Sequence, residues 1–396
     1  MTLEQRLQAE GGKGPGFHFI RHALSVVILL HHASVLAVGA EVSPAATKGD
    51  AVASLAALMA GTGGLRQAVI ELLRPFLFSL VAAFFVLSGF LVAGSALRTR
   101  NVRQFLAFRV LRIVPALSSE VVLSAFVLGP LVTSFTLSAY FSDPSFFGYF
   151  GNIFGFVHYH LPGAFLGNPM PALVNANLWT LPPEFYCYLI MTGLMLSGLV
   201  YRPKIFLRLV VAASLVALLL GATGWVGVTT RQDTTRFSSW LIVYLFVVGV
   251  ALFAYARHVP LSRGLFLFCG AAYFLLMVLK SDDVLAALFL SYCVVYVGMT
   301  PFPRFDRVVK VDLSYGIYLY GYPITQGLAY FLGPELALHG PAARRAMIMG
   351  LALPLTAIFA YASWIWVEKP ALSLKRFLVA KRAKPPTAEP FAAPAE

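Results

Sequence analysis

Charge is scarce in this chain. Only 12% of its 396 residues are Asp, Glu, Lys or Arg, against about a quarter in a soluble globular domain. Hydrophobic residues make up 59%, and the mean hydropathy is +0.78. A soluble protein of this length cannot bury that much apolar surface, so a polytopic membrane protein is expected. Cysteine is scarce too: Cys187, Cys269 and Cys293 fall in separate apolar runs. That excludes a disulfide framework and any zinc-type spacing. The apolar runs lack the period-two alternation of strands, so the spanning elements are expected to be helices, whose backbone groups are satisfied within the segment.

A hydrocarbon core needs roughly 20 apolar residues in helix. Residues 113–142 hold one charge, Glu120, and 209–230 and 237–256 hold none. The sequence predicts an all-α transmembrane bundle of about ten spans, at 20–40, 68–96, 114–138, 178–200, 206–228, 238–256, 262–279, 284–300, 312–333 and 346–367. Residues 146–170, broken by Gly and Pro, read as a loop with a partly buried element. Residues 1–16 form an N-terminal arm, 17–380 the membrane domain, and 381–396 a Pro/Ala/Lys-rich tail expected to be disordered and cytoplasmic.

The net charge of +13 is unevenly placed. Of 30 Lys and Arg, 22 lie in the N-terminal arm, the C-terminal segment and alternate connections, beginning with Arg98, Arg100, Arg103, Arg109 and Arg112. None lies between Arg112 and Arg202. The positive-inside rule then places both termini in the cytoplasm and the long third connection outside. Topology and anionic lipid account for the basic balance without a nucleic-acid partner. Val38-Gly39-Ala40 resembles a signal-peptidase site. The long polar leader and the histidines at 22, 31 and 32 argue against cleavage.

Ionisable groups at membrane depth are costly and mark candidate sites. Arg21 and His32 are 11 residues apart, about 20° from three whole turns, on one helical face and about 16 Å apart along the axis. His31 points away from that face. A neutral His at that depth accepts a proton, or equally hydrogen-bonds a neighbouring helix. The pair His31-His32 does not complete an HHxxxD motif, because Leu36 stands where the acid belongs. Arg109 and Arg112 share a face at i,i+3. Beside a cytoplasmic cavity they suit a phosphate-bearing ligand, although positive-inside anchoring alone explains them. The stretch before them, NVRQFLAF, reads as interfacial.

Glu184 follows Pro182-Pro183 at the start of the fourth span, with Asn177 as the expected cap. It orients a histidine, binds sugar hydroxyls or complements the helix dipole. Lesser candidates are His158 with His160, spaced as metal ligands but in an aromatic loop; Glu368, as a terminal ion pair or cap; Asp312, Ser314 and Tyr315, as lining or packing; and Arg74, which needs a partner.

Taken in order, these features resemble the membrane-bound acyltransferase-3 family of bacterial glycan and lipid acyltransferases, over roughly residues 17–380. Arg21 and His32 match that family's opening basic residue and His. FFVLSGFLVAGS at 84–95, FRVLRIVPAL at 108–117, LWTLPPEFYCYL at 178–189, LSYGIYLYGYPI at 313–324 and WVEKP at 366–370 are similar to its later signatures. Two departures stand out. Pro182-Pro183 replaces a serine-valine pair, and Gly321 replaces a frequent histidine. Longer members of that family carry a C-terminal hydrolase-like domain, and the stand-alone form without it is expected here.

The resemblance implies transfer of an acyl group, most often acetyl, from cytoplasmic acyl-CoA to a hydroxyl of a cell-surface or lipid-linked glycan at the bacterial cytoplasmic (inner) membrane. Arg109 and Arg112 would hold the CoA phosphates. His32 would act as general base or assist a covalent intermediate. Arg21 would line the donor path, and Glu184 would orient the acceptor or the imidazole. No metal is implied. A secondary transporter or exporter of a small acid or sugar is the alternative. It lacks the expected paired repeats in this sequence.

Overall fold

A computed structural model describes residues 1–12, 14–39, 51–61, 64–223 and 236–379. Lys13, the Ala40 end of the signal-peptidase-like triplet and the 381–396 tail lie outside these residues. The described chain is all-helical apart from two isolated bridges, Thr2 with Pro260 and Thr133 with Ala164.

A short α1 (Leu3–Ala9) precedes α2 (Phe17–Leu36), α3 (Ala51–Met59), α4 (Leu65–Thr99) and α5 (Val102–Leu123). A π turn at Ser124–Leu128 carries α5 into α6 (Gly129–Val132). The long connection holds α7 (Leu137–Ser142), α8 (Pro144–Tyr149) and two 3-10 turns, at Phe150–Phe154 and Ala176–Thr180. Next come α9 (Leu181–Leu196), α10 (Pro203–Ala222), α11 (Ser239–Ala254), α12 (Arg263–Val278) and α13 (Asp283–Gly298). The chain continues through α14 (Pro303–Val308), α15 (Ser314–Phe331), α16 (Gly333–Ala337) and α17 (Pro341–Ser363). A second π turn, Trp364–Glu368, leads to α18 (Lys369–Ser373) and α19 (Lys375–Val379).

Over its described residues each predicted span falls on a helix; residue 40 and residues 224–228, the ends of the first and fifth spans, lie outside them. Among the described residues, five helical stretches are long and apolar enough to cross a membrane: Phe17–Leu36, Ala68–Thr99, Val102–Val132, Pro203–Gly221 and Pro341–Leu378. Three apolar helices are shorter, Ser239–Ala254, Arg263–Val278 and Asp283–Gly298. Helices α9 and α15 coincide with the other two predicted spans. The expected interfacial stretch before residue 114 is continuous with α5. Asn101 caps the helix by accepting from the Gln104 N–H at 3.0 Å, and Phe105 is fully buried.

Small residues set the closest helix contact. A Cβ on Gly89 would strike the Phe246 carbonyl, and one on Gly249 would strike the Val86 carbonyl. Helices α4 and α11 therefore touch backbone to backbone, as small residues allow where lipid supplies no hydrophobic drive. Gly89 of the FFVLSGFL stretch thus serves packing. Prolines interrupt α4, α5, α15 and α17. At Pro75 the carbonyl accepts from the Tyr273 hydroxyl at 2.6 Å.

The basic connections gather at one end. The N-terminal arm docks on the 256–261 turn through Leu3 N–H to Val259 carbonyl (3.0 Å) and Leu261 N–H to Met1 carbonyl (2.9 Å). Arg6 Nε donates to the Met299 carbonyl at 3.3 Å. Arg100 lies over the Tyr201 ring, and Lys375 over the Phe108 ring. At the other end, the long connection is strapped to α15. Asn168 Nδ2 donates to Gln326 Oε1 (2.7 Å), while Gln326 Nε2 donates to the Met170 and Leu173 carbonyls. Within 146–170 the aromatic side chains of Phe146, Tyr149 and Phe165 are buried, as expected for a loop with a partly buried element.

The α4–α11 contact makes a prediction. Gly249→Leu must separate two backbones, and overpacking of this kind costs about 1–3 kcal/mol or more. A lower thermal midpoint of the detergent-solubilised protein is expected. An unchanged midpoint for Gly249→Leu refutes the contact.

Candidate functional site

A cavity of about 490 Å³ opens among α4, α5, α9, α15 and the C-terminal helices, with Arg21 of α2 in its wall. Its lining positions on α4 run from Val81 to Arg98, about 25 Å of helix. One end carries Arg98, Arg109 and Lys375; Asn177, Thr180, Glu184 and Tyr318 also line it. Between them the wall is largely apolar, with Phe84, Leu87, Leu91 and Ile113 among its residues. The size is ordinary for a small-molecule site.

One carboxylate organises the middle of this cavity. Asp312 Oδ2 lies 2.8 Å from Arg21 Nη1 and 3.2 Å from Arg112 Nη2. Its other oxygen accepts from the Ser314 hydroxyl (2.6 Å) and the Ser314 N–H (3.2 Å). Arg112 Nη1 also lies 3.5 Å from Glu368 Oε2. Glu368 is only 2% exposed, so it is an interior partner of Arg112. The ion pair expected at Glu368 is present, but it is made in the interior with Arg112 rather than at the end of the span. The loop carrying Asp312 is held from α2: the Leu313 N–H donates to His22 Nε2 at 3.0 Å, and His22 Nδ1 donates to the His18 carbonyl at 2.9 Å. Those two bonds fix a neutral tautomer of His22.

Glu184 sits in the first turn of α9, whose start carries the two prolines, and faces the cavity. The Tyr188 hydroxyl donates to Glu184 Oε1 at 2.6 Å. Asn177 does not cap α9 as expected: α9 begins after Thr180 with no side-chain cap, and it is the preceding 3-10 turn that is capped, by Asn175 Oδ1 accepting the Asn177 N–H at 3.1 Å. Asn177 instead donates its amide to the Tyr318 carbonyl at 2.6 Å. Asn175 Nδ2 reaches Glu120 Oε1 (3.0 Å) and the Leu319 carbonyl (3.0 Å). Glu120, 1% exposed, also accepts from Ser124 at 2.9 Å. The sole charge of the 113–142 run is therefore an anchor for the segment that delivers Glu184.

Four of the five sequence-predicted residues, Arg21, Arg109, Arg112 and Glu184, thus line one cavity. His32 does not line it. Its ring meets Tyr322 of α15 edge-on at 5.3 Å and His31 at 5.7 Å, and its Nδ1 is buried with no hydrogen-bond partner. Gly321, beside Tyr322, packs on Leu29, and a Cβ there would press on the Leu29 side chain. No side chain at 321 assists His32. His158 and His160 bond separate carbonyls, Phe156 and Ala172, and Arg74 lies 3.7 Å from Glu71. Sequence reasoning underrated Asp312 and Glu368 and did not single out Arg98 or Lys375. A lone acid before the LSY stretch and two basic residues among many gave no spacing signal.

Asp312→Asn leaves Arg21 and Arg112 side by side without their shared counter-charge. Because all three side chains are about a quarter exposed or less, a loss of about 2–3 kcal/mol is expected, read as a lower thermal midpoint in detergent. Retention of the wild-type midpoint would rule out a structural role for this ion triad.

The chain is 27% identical over 274 residues to the O-acetyl transferase of Shigella phage Sf6, covering 64% of this chain and 77% of that protein. It is 27% identical over 332 residues to nodulation protein 10 of Rhizobium leguminosarum bv. viciae, covering 76% of this chain and 84% of that protein. No family model matches the chain, and no solved structure matches it.

Proposed function

We propose that this multi-pass membrane protein is an acyltransferase of the acyltransferase-3 type. It moves an acyl group, acetyl first of all, from acyl-CoA to a hydroxyl of a cell-surface or lipid-linked glycan. The observation that carries this reading is the cavity: long, cationic at one end, apolar along its wall, with a carboxylate and tyrosine hydroxyls facing it. Likeness to a protein named O-acetyl transferase supports the same chemistry. The gathered basic connections support a cytoplasmic placement of the cationic end by the positive-inside rule, and we take the chain to lie in the bacterial inner membrane with both termini inside and about ten crossings.

In this reading the CoA phosphates rest at the cytoplasmic end and the thioester lies deeper, among apolar residues that exclude water. The acceptor oxygen attacks the thioester carbonyl carbon as His32 takes the hydroxyl proton, a step that requires α2 or α15 to shift and bring the imidazole, packed on Tyr322 off the cavity wall, to the reacting atoms. The C–S bond then breaks, and the CoA sulfur leaves as a thiolate that the same proton neutralises. The Nδ1 of His32 is buried and has no hydrogen-bond partner, so no neighbouring protein group competes with a substrate for it. Glu184, held by Tyr188, orients the acceptor. Arg21 is kept in the cavity wall by Asp312.

General-base help is worth about 10²–10⁴-fold. Purified His32→Ala is therefore expected to lose acceptor-dependent CoA release by that factor while keeping acyl-CoA binding. A wild-type rate in His32→Ala ends the assignment of the base. Acyl-CoA binding to the solubilised protein separates the enzyme from an exporter of a small acid or sugar. Binding that falls in Arg109→Ala/Arg112→Ala supports transfer, and no binding by the wild type supports export. Deleting the gene is expected to remove one acyl increment from a surface glycan, seen by mass spectrometry.

A further inference from the structure

The charges around the cavity do not balance evenly along its length. In the middle, Arg21 and Arg112 face Asp312 and Glu368, two cations against two carboxylates. At the basic end, Arg98, Arg109 and Lys375 line the same cavity. Among the described residues no carboxylate comes within ion-pair distance of any of these three. Arg109 makes one long hydrogen bond, Nη2 to Ser95 Oγ at 3.4 Å, and its buried Nε has no partner. Lys375 Nζ rests 5.4 Å from the Phe108 ring centroid.

The three come from different elements. Arg98 is the penultimate residue of α4, Arg109 lies two turns into α5, and Lys375 opens α19. The Arg112–Glu368 pair fixes the register of α5 against the C-terminal segment. Lys375 is seven residues beyond Glu368, about 10 Å further out in helix, which brings it beside Phe108. The cations at the mouth therefore extend past the arginine pair that sequence alone singles out. Like charges held together without counter-ions are costly, and a polyanion relieves that cost.

Resting on the acyl-CoA reading, we infer that Arg98 and Lys375 form a terminal-phosphate subsite that selects donors bearing a 3′-phosphate. An acyl-CoA has a neutral pantetheine arm at its reacting end, a diphosphate next and the 3′-phosphate farthest from the thioester. With the thioester deepest, the neutral arm passes the balanced Arg21–Asp312–Arg112 group. The diphosphate then meets Arg109, and the 3′-phosphate lies at the mouth between Arg98 and Lys375. Arg112, held by two carboxylates, serves the cavity wall. The C-terminal helix thereby becomes a specificity element, contributing a donor contact from outside the bundle proper.

The test uses full-length protein in neutral detergent, titrated calorimetrically with CoA and with dephospho-CoA, which differ only in the 3′-phosphate. Wild type is expected to bind CoA at least about tenfold more tightly, the scale of one charge-assisted contact. Lys375→Gln and Arg98→Gln are each expected to weaken CoA about tenfold and leave dephospho-CoA nearly unchanged, so the ratio collapses towards one. Lys375→Arg, which keeps the charge, keeps the ratio. Equal losses for both nucleotides, or an unchanged ratio in the Gln variants, overturn the subsite; the latter is the result expected if these cations serve a lipid headgroup phosphate. CoA binding that depends on Arg109 but ignores Arg98 and Lys375 removes the subsite and leaves the acyltransferase reading standing. No binding of either nucleotide by wild type removes both.

Discussion

The structure turns on the carboxylate of Asp312 between the guanidinia of Arg21 and Arg112. These residues come from α2, the loop before α15, and α5, elements far apart in sequence. An unbalanced charge at this depth would cost several kcal/mol, so the three helical segments are tied together by the need to keep all three charges paired. Glu368 extends the tie to the C-terminal segment, and Ser314 and His22 hold the loop on which Asp312 sits. The cavity forms at this junction, with Arg21, Arg112 and Asp312 all in its wall.

The rest of the architecture serves the same space. Gly89 and Gly249 bring α4 and α11 into backbone contact, which leaves another face of α4, with Ser88, Leu91 and Ser95, for the cavity wall. Glu120, Asn175 and Asn177 pin the end of the long connection to α15 before it turns into α9, and so set the position of Glu184. Prolines interrupt α4, α5, α15 and α17, and the Tyr273 hydroxyl ties α12 to α4 by donating to the Pro75 carbonyl.

Much of the fold was legible in the residues. The lengths and hydropathy of the apolar runs located the long helices, because burying backbone in lipid leaves few alternatives. The i,i+11 relation of Arg21 and His32 and the i,i+3 relation of Arg109 and Arg112 were readable because both lie within single helices, where spacing fixes direction. Asp312 and Glu368 were not readable in their roles. Each meets its partners only across helix–helix contacts, and no local spacing encodes which helices touch. For the same reason the role of Asn177 was not readable: a 3-10 turn capped by Asn175 precedes α9, and the Asn177 amide goes to the Tyr318 carbonyl that α15 presents.

The sequence by itself determined that the chain is an apolar all-helical protein with several membrane-length helices, and that a few ionisable groups lie where lipid would penalise them. Hydrophobicity and helical period are local properties, so composition and spacing suffice for that. Tertiary structure alone decided which of those groups share a space. Arg21, Arg109, Arg112 and Glu184 converge on one cavity with Asp312, Arg98 and Lys375, while His32, on the same face of α2 as Arg21, packs against Tyr322 off the cavity wall. A common helical face fixes direction. What lies opposite it depends on how the neighbouring helices pack.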